Sequence, residues 1–249
     1  MEHYFGINYE FSKERIFGRI DRTIATDGKG YVCVVDGIVL TETHLSPSYL
    51  DIINQSLFSI SDSRWVPLFI RAIHHVNVAP YQGPQIFLDM VKMCKYRMYF
   101  LGGDQVLLDA LRQRLTAYDP AIADMPFRAL PFCGIDDFDY EGIASDINSY
   151  APDIIWVSLG AVKQETFANR LLPHLQRGVM LTVGAVFKYN SGLPHTRRAP
   201  EWMVRCHVEF LFRLCQEPRK QSRRVWRYVS TLPAILWQEY RHTRTKSQR

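Results

Sequence analysis

Short apolar runs alternate with amphipathic stretches along most of the chain. Runs rich in Val, Ile and Leu, typical of strands, cover residues 31–35, 98–101, 154–159 and 179–183. Apolar residues recur at helical spacing in residues 48–58, 105–118 and 164–175. Strands that alternate with helices predict βαβ units and a mostly parallel sheet. The strands lack a polar face, so we expect an α/β, Rossmann-like fold with helices flanking the sheet.

A helical pattern takes over after Trp202. Apolar residues at helical spacing begin at Met203, Pro218 is expected to interrupt the helix, and a second amphipathic stretch starts at Gln221. We therefore predict an α/β core over residues 1–203 and a helical appendage over residues 204–249.

Charge separates the same two parts. Residues 205–249 carry eleven Lys or Arg against three Glu, a net charge of +8. The formal charge of the whole chain is +5, which leaves −3 for the first 204 residues. A basic appendage on a mildly acidic body suits an anionic partner.

Several classes of protein are disfavoured by patterns that the sequence lacks. It has no basic leader with an apolar core and no apolar run of about 18 residues, so we expect neither secretion nor a membrane span. The five cysteines show no CxxC spacing, which argues against a zinc site and favours buried thiols. The absence of GxGxxG and GxxxxGK[ST] argues against dinucleotide and P-loop enzymes.

Glycine follows three of the predicted strands. The turns contain Gly102 and Gly103, Gly160, and Gly184. In an open parallel sheet the ligand crevice lies at the carboxyl ends of the strands, where glycine lets backbone amides approach a phosphate. We therefore predict a nucleotide site built from these turns. The alternative is that each glycine only turns the chain after its strand.

Three polar residues, Lys163, Gln164 and Glu165, begin the helix after Gly160. The positive end of the helix dipole and the Lys163 ammonium would both favour an anion, so all three join the predicted nucleotide site. The alternative is an ordinary solvated first turn.

Ordered motifs from the middle of the chain onward resemble those of a known family. They are Pro152-Asp-Ile-Ile-Trp-Val-Ser-Leu-Gly-Ala-Val-Lys-Gln-Glu165, Val183-Gly-Ala-Val-Phe187, Ser191-Gly192, Arg198-Ala-Pro-Glu-Trp202, Glu209-Phe-Leu-Phe-Arg-Leu214 and Glu217-Pro-Arg219. The sequence resembles the WecG/TagA/CpsF glycosyltransferases, glycosyltransferase family 26, over roughly residues 30–228.

The resemblance implies an inverting transfer of sugar from a nucleotide-sugar, with UDP as the expected nucleotide, to a polyprenyl-diphosphate-linked sugar acceptor. This reaction would serve surface polysaccharide assembly. The implied location is cytoplasmic, peripheral at the inner face of the cell membrane. No cofactor is implied, and a homo-oligomer is compatible with the resemblance.

Asp62 is the general base that the resemblance implies, because the family's proposed base lies 21 residues before a glycine that corresponds to Gly83. Such a carboxylate takes the proton of the acceptor hydroxyl. Without the resemblance, an aspartate in a polar turn would be interpreted as a cap. Asp36 replaces a family asparagine thought to contact substrate. It is expected to make that contact, to act as base instead of Asp62, or only to end its strand in an Asp-Gly turn.

Gln164 and three arginines complete the implied catalytic set. Gln164 would hold the donor, and the appendage's arginines would stabilise the departing diphosphate through bidentate contacts: Arg213, Arg219 and Arg224. Phe187 and Lys188 fall where the family meets the donor nucleotide. The sequence departs from the family at Lys188, which replaces an aspartate, and also at Ser63, Pro80 and Gln85.

The appendage is also expected to contact an anionic membrane surface, with Trp226, Tyr228 and Trp237 at the interface. The rival hypothesis is a nucleic-acid-binding protein that uses the same arginines and aromatic residues. The acidic body argues against it, and we expect no nucleic-acid partner. A non-catalytic scaffold of the same fold is the remaining alternative.

The segment Asp137-Phe138-Asp139 satisfies the DxD pattern with which many glycosyltransferases hold a metal ion. So short a pattern arises readily by chance, and Asp136 beside it favours an acidic surface loop. No metal site is predicted.

Overall fold

A computed structural model describes residues 1–194, Met203 and residues 218–247. Its strands are β1 (Glu2–Tyr4), β2 (Ile7–Tyr9), β3 (Lys29–Val35), β4 (Phe58–Ser61), β5 (Met98–Leu101), β6 (Phe127–Arg128), β7 (Ile154–Val157) and β8 (Gly178–Thr182). They form one sheet in the order β1-β2-β4-β3-β8-β7-β5-β6. All neighbouring pairs are parallel except β1 with β2. The mostly parallel α/β fold predicted from the sequence is confirmed.

The helices in the described ranges are α1 (Lys13–Ala25), α2 (Gly37–Leu45), α3 (Pro47–Asn54), α4 (Trp65–His74), α5 (Gly83–Lys92), α6 (Gln105–Leu115), α7 (Tyr140–Tyr150), α8 (Lys163–Leu171), α9 (Val186–Ser191) and α10 (Pro218–Ser247). Short 3₁₀ turns occupy Pro120–Asp124 and Leu172–His174. Pro218 stands at the start of α10, where a missing backbone N–H costs least.

Alternating side chains of the central strands enter two cores, one on each face of the sheet. Val32 and Val34 of β3 pack with α1, α5, α6 and α9. Tyr31 and Cys33 of the same strand pack with α2, α3, α4, α7 and α8 on the other face. The central strands are therefore buried on both sides, which explains their continuous apolar pattern.

The predicted helix over 48–58 differs from the structure at its end. α3 stops at Asn54, and Phe58 begins β4. This strand carries the fully buried serines Ser59 and Ser61 between its apolar residues, so it lacks the apolar run of the other central strands. The expectation of buried thiols holds for Cys33, whereas Cys94 is exposed and Cys133 is half-buried.

Helix α10 packs on α2 and α4 beside the carboxyl ends of β3 and β4. The Tyr228 ring lies so close to Gly37 that a methyl group there would be 3.1 Å from it. Ile235 is buried in the second core. The Glu239 carboxylate accepts from the Phe5 backbone N–H at 2.9 Å and lies 2.8 Å from His74 Nε2. The basic helix is thus fixed to the body of the protein at several points along its length.

Candidate functional site

A cleft of about 820 Å³ runs along the carboxyl edge of the sheet. Residues that follow successive parallel strands line it: Asp36 after β3, Asp62 after β4, Ser158 after β7 and Gly184 after β8. Parallel strands all end at the same edge, so residues far apart in sequence meet there. Helix α10 closes one side with Arg224, Val225 and Tyr228.

Nine of the residues predicted for the site line this cleft. They are Asp36, Asp62, Gly103, Gly160, Lys163, Gln164, Gly184, Lys188 and Arg224. Gly102, Glu165 and Phe187 do not. Arg213 and the Arg198–Trp202 motif lie outside the described residues, and so does the side chain of Arg219.

A close backbone contact explains why the turn after β5 needs glycine. Gly102 has φ +114°, and a Cβ there would lie 2.4 Å from the Ser158 carbonyl oxygen. The Ser158 hydroxyl donates to the Gly184 carbonyl at 2.5 Å. The turns after β5, β7 and β8 are therefore packed against one another. Gly160, with φ +88°, faces open space instead.

Gln164 holds two of these turns in place. Its Oε1 accepts from the Gly184 N–H at 2.8 Å and from the Gly160 N–H at 3.3 Å. Its Nε2 donates to the Thr182 carbonyl at 3.2 Å and to Glu165 Oε1 at 2.8 Å. The two glycine amides predicted to meet a phosphate are thus already paired with this side chain.

Glu165 supports Gln164 from beneath the cleft. Its carboxylate is fully buried and also accepts from the Tyr49 hydroxyl at 3.0 Å and the Val162 N–H at 2.9 Å. Burial away from water raises the pKa of Glu165 to about 7, although hydrogen bonds from Gln164 and Tyr49 lower it. The side chain has no exposed surface, so the structure replaces the expected nucleotide contact with a supporting role.

Phe187 also has a structural role. Its ring is fully buried and lies 6.0 Å from the Phe87 ring and 6.1 Å from the Phe100 ring, measured between centroids. The motif places the backbone of the turn after β8, while the aromatic ring anchors α9 in the core. We therefore no longer expect the ring to contact a nucleotide.

Lys163 is half-buried, with its ammonium group already engaged. It donates to the Cys133 backbone carbonyl and lies 4.7 Å from the centroid of the Phe138 ring. The residue is therefore no ordinary solvated lysine. Its contacts tie the start of α8 to the loop before α7.

Hydrogen bonds to neighbouring elements hold Asp62 at the end of β4. Its Oδ1 accepts from the Gly83 N–H at 2.7 Å, and its carbonyl accepts from Gln82 Nε2 at 3.0 Å. Its own N–H donates to the Val35 carbonyl at 3.0 Å. The spacing of 21 residues taken from the resemblance corresponds to a direct contact between the carboxylate and the start of α5.

Asp36 caps α2. Its Oδ1 accepts from the Ile38 and Val39 N–H groups, both at 2.9 Å. The Asp-Gly turn interpretation therefore describes its local role, and the residue also faces the cleft. Burial raises the pKa of Tyr228 to about 12, with a further contribution from the charge of Asp36.

Arg64 is a charged residue of the cleft that the sequence reasoning missed. It precedes α4, two residues after Asp62, and no motif or periodicity marks it. Among the described residues that line the cleft, four are cationic and three are anionic. The cationic residues are Arg64, Lys163, Lys188 and Arg224, and the anionic residues are Asp36, Asp62 and Asp104. The charges of the described lining therefore nearly balance.

The DxD segment does not line the cleft. Asp137 accepts from the Gly134 N–H at 3.0 Å, and Asp139 caps α7 by accepting from the Gly142 N–H at 2.9 Å. Phe138 between them is buried. Both carboxylates therefore stabilise local backbone.

No helix in the described parts of the chain is both long enough and apolar enough to cross a membrane.

The chain is similar to known proteins. The family model described as "Glycosyl transferase WecG/TagA/CpsF family" matches residues 3–249. A Bacillus spizizenii protein named N-acetylglucosaminyldiphosphoundecaprenol N-acetyl-beta-D-mannosaminyltransferase is 22% identical over 92% of this chain and 86% of its own. Proteins of that name from Bacillus subtilis and Staphylococcus aureus (strain MW2) are 23% and 22% identical. They cover 74% and 76% of this chain, and each is covered over 69% of its length.

Proposed function

Since the chain belongs to the WecG/TagA/CpsF glycosyltransferase family and is a glycosyltransferase, we propose that it transfers a sugar from a UDP-sugar to a sugar on a polyprenyl diphosphate, with inversion. The names of the relatives support this class of acceptor. The product would be a lipid-linked intermediate of a surface polysaccharide.

The position of Asp62 is the observation that carries this proposal. In the reaction, its carboxylate takes the proton of the acceptor hydroxyl while that oxygen bonds to C1 of the donor sugar. The bond from C1 to the diphosphate oxygen breaks on the opposite face, and the electron pair leaves with UDP. The hydrogen bond from Gly83 fixes one carboxylate oxygen and thereby the direction of the other.

Cationic side chains would stabilise the departing diphosphate. Lys188 on α9 and Arg224 on α10 both line the cleft. Charge-assisted hydrogen bonds to phosphate are shorter and stronger than neutral ones. We propose that Arg224 acts in this way together with Arg213 and Arg219, and that Gln164 positions the turns on which the donor rests.

Helix α10 would also bind an anionic membrane. Its exposed apolar side chains, Trp226, Val229, Trp237 and Tyr240, recur at helical spacing on one face. Arg223, Arg227, Arg241 and Arg244 are exposed beside them. An amphipathic helix of this kind lies in the plane of the lipid headgroups. A peripheral position at the inner membrane face would bring the cleft to a lipid-linked acceptor.

Transfer assays test the reaction. Purified protein is supplied with UDP- and GDP-sugars and a short-chain prenyl-diphosphate-linked N-acetylglucosamine. Asp62→Asn should lower kcat about 100-fold or more, while Asp51→Asn on the exposed surface of α3 should leave it unchanged. Unchanged transfer by Asp62→Asn would remove that residue as base. No transfer by the wild-type protein from any donor would overturn the function.

A further inference from the structure

Arg64 lies in the turn between β4 and α4, and its Nε has no hydrogen-bond partner among the described residues. The residue is half-buried and lines the cleft, and its side chain does not cap α4. Its Nε is buried, and the described chain offers that atom no hydrogen-bond acceptor. A buried donor without a partner costs free energy, more so when it belongs to a charged group. An anion in the cleft would supply the missing acceptor once the side chain turns this nitrogen from its buried position towards the cleft, which the residue already lines.

Two other cations, Arg227 on α10 and Lys163 after β7, already contact protein groups. The Arg227 guanidinium lies 3.0 Å from the Glu42 carboxylate. Lys163 donates to the Cys133 carbonyl. A guanidinium is planar and presents paired donors that match a phosphate better than an ammonium does. Arg64 thus has the chemistry and the uncommitted Nε of a phosphate-binding residue.

Sheet order separates Arg64 from the glycine turns. β4 and β5 have β3, β8 and β7 between them, so their ends are four strand spacings apart, or about 19 Å. Gly103, Gly160 and Gly184 follow β5, β7 and β8, on the side away from β4. A donor seated on these turns leaves Arg64, beside Asp62, at the end where an acceptor enters.

An apolar surface begins at the residue after Arg64. Trp65 lines the cleft and is 44% exposed, and its ring lies 6.3 Å from that of Phe69. Leu68, one helical turn along α4, is 43% exposed. A cation that adjoins an exposed apolar strip suits a ligand in which a diphosphate is joined to a hydrocarbon chain.

We propose that Arg64 binds the diphosphate of the lipid-linked acceptor, and that Trp65, Leu68 and Phe69 contact its first prenyl units. This assignment rests on the proposed function, since it presumes a prenyl-diphosphate acceptor. Asp62 then addresses the sugar hydroxyl while Arg64, two residues later, holds the phosphate at the other end of the same sugar.

Steady-state kinetics distinguish the acceptor's diphosphate from the donor's. Arg64→Met should raise the KM for the acceptor about ten-fold or more and leave the KM for the UDP-sugar unchanged. Arg64→Lys should fall between it and wild type, because it keeps the charge and loses the planar fork. Arg71→Met, at an exposed position on α4, is the matched control. An unchanged acceptor KM, or a rise in the donor KM instead, would overturn the proposal.

Calorimetry with farnesyl diphosphate tests the site without catalysis. The wild-type protein should bind farnesyl diphosphate, and Arg64→Met should raise the Kd for it about ten-fold or more. The Kd for UDP should be the same in both proteins. Trp65→Ala should weaken the binding of farnesyl diphosphate and leave the binding of inorganic diphosphate unchanged. Failure of the wild-type protein to bind farnesyl diphosphate would count against the site.

The two proposals fail in different ways. Arg64-dependent binding without any sugar transfer would overturn the function and keep the site. If sugar is transferred and Arg64→Met leaves the KM for the acceptor unchanged, the proposed function stands and the proposed Arg64 site is wrong. Thermal unfolding of each variant checks that the protein remains folded.

Discussion

The Gln164 side chain bridges the ends of two neighbouring strands, because its Oε1 accepts from the Gly184 N–H at 2.8 Å while its backbone begins α8 after β7. Gln164→Leu should leave the Gly184 and Gly160 amides and the Thr182 carbonyl without this partner. We expect a loss of about 2–4 kcal/mol in the free energy of unfolding and a higher donor KM. Gln105→Leu, exposed on α6, should change neither quantity. Urea unfolding and donor titration measure both, and a stable variant with normal donor KM would contradict the bridging role.

Two glycines in the turns after β5 and β7 should respond differently to the same substitution. Gly102→Ala would place a methyl group 2.4 Å from the Ser158 carbonyl at φ +114°, so we expect a loss of several kcal/mol, about 3 or more, or failure to fold. Gly160→Ala has open space and suffers only from φ +88°, which costs about 1–2 kcal/mol. Thermal unfolding of the two purified variants gives the comparison. Equal destabilisation would show that the contact with Ser158 is not decisive.

Glu165 should make stability depend on pH. Its pKa in the folded protein is raised by burial to about 7, so the folded state holds a proton that the unfolded state releases at lower pH. The associated stabilisation is complete below the unfolded pKa near 4.5 and is lost as pH rises through 7. Glu165→Gln should therefore lose less stability than wild type between pH 5 and 8, by roughly 1–3 kcal/mol. Glu141→Gln on the surface serves as control, and parallel pH profiles for wild type and Glu165→Gln would refute the effect.

Tyr228 should matter through its ring and not through its hydroxyl. The hydroxyl is buried without a hydrogen-bond partner in the described structure, whereas the ring packs against Gly37. Tyr228→Phe should leave stability unchanged or raise it slightly, and Tyr228→Ala should loosen α10. Limited trypsin digestion reports on the loosening, since Arg223, Arg224 and Arg227 lie on this helix. Equal cleavage of the Phe and Ala variants would contradict the packing argument.

The exposed tryptophans of α10 should govern binding to lipid. Trp226 and Trp237 are 75% and 61% exposed, so replacing both with Ala should leave folding intact and reduce sedimentation with anionic vesicles. Val106→Ala, an exposed apolar residue on α6, is the control. Neutral vesicles should bind less, because the arginines contribute through charge. Salt-sensitive binding to oligonucleotides without vesicle binding would favour the nucleic-acid hypothesis instead.

Local pattern predicted the central strands well and their order not at all. β5 was predicted at its observed bounds of residues 98–101, because four apolar residues are followed by a glycine turn. The chain then crosses from β4 to β5 over three intervening strands, and no local signal encodes such a jump. The strand β4 was missed because Ser59 and Ser61 break its apolar run while being fully buried.

The motifs located the cleft without separating two kinds of residue. Asp62 and Gln164 line it, whereas Glu165 and Phe187 do not and are fully buried. A residue that lines the cleft and one that does not can be neighbours in a single motif, as Gln164 and Glu165 are. Arg64 was missed for the opposite reason: its significance comes from the burial of one nitrogen atom, which only the tertiary structure reveals.

Helix α10 contributes Arg224 and Tyr228 to the cleft on one face and presents Trp226 and Trp237 on another. Under the proposed membrane contact, a lipid surface and a substrate would therefore act on the same helix. Thermodynamic linkage is reciprocal: to the extent that lipid binding favours one position of α10, substrates that prefer that position must tighten binding to lipid. The bilayer would then be an effector of the enzyme as well as the place where its acceptor resides.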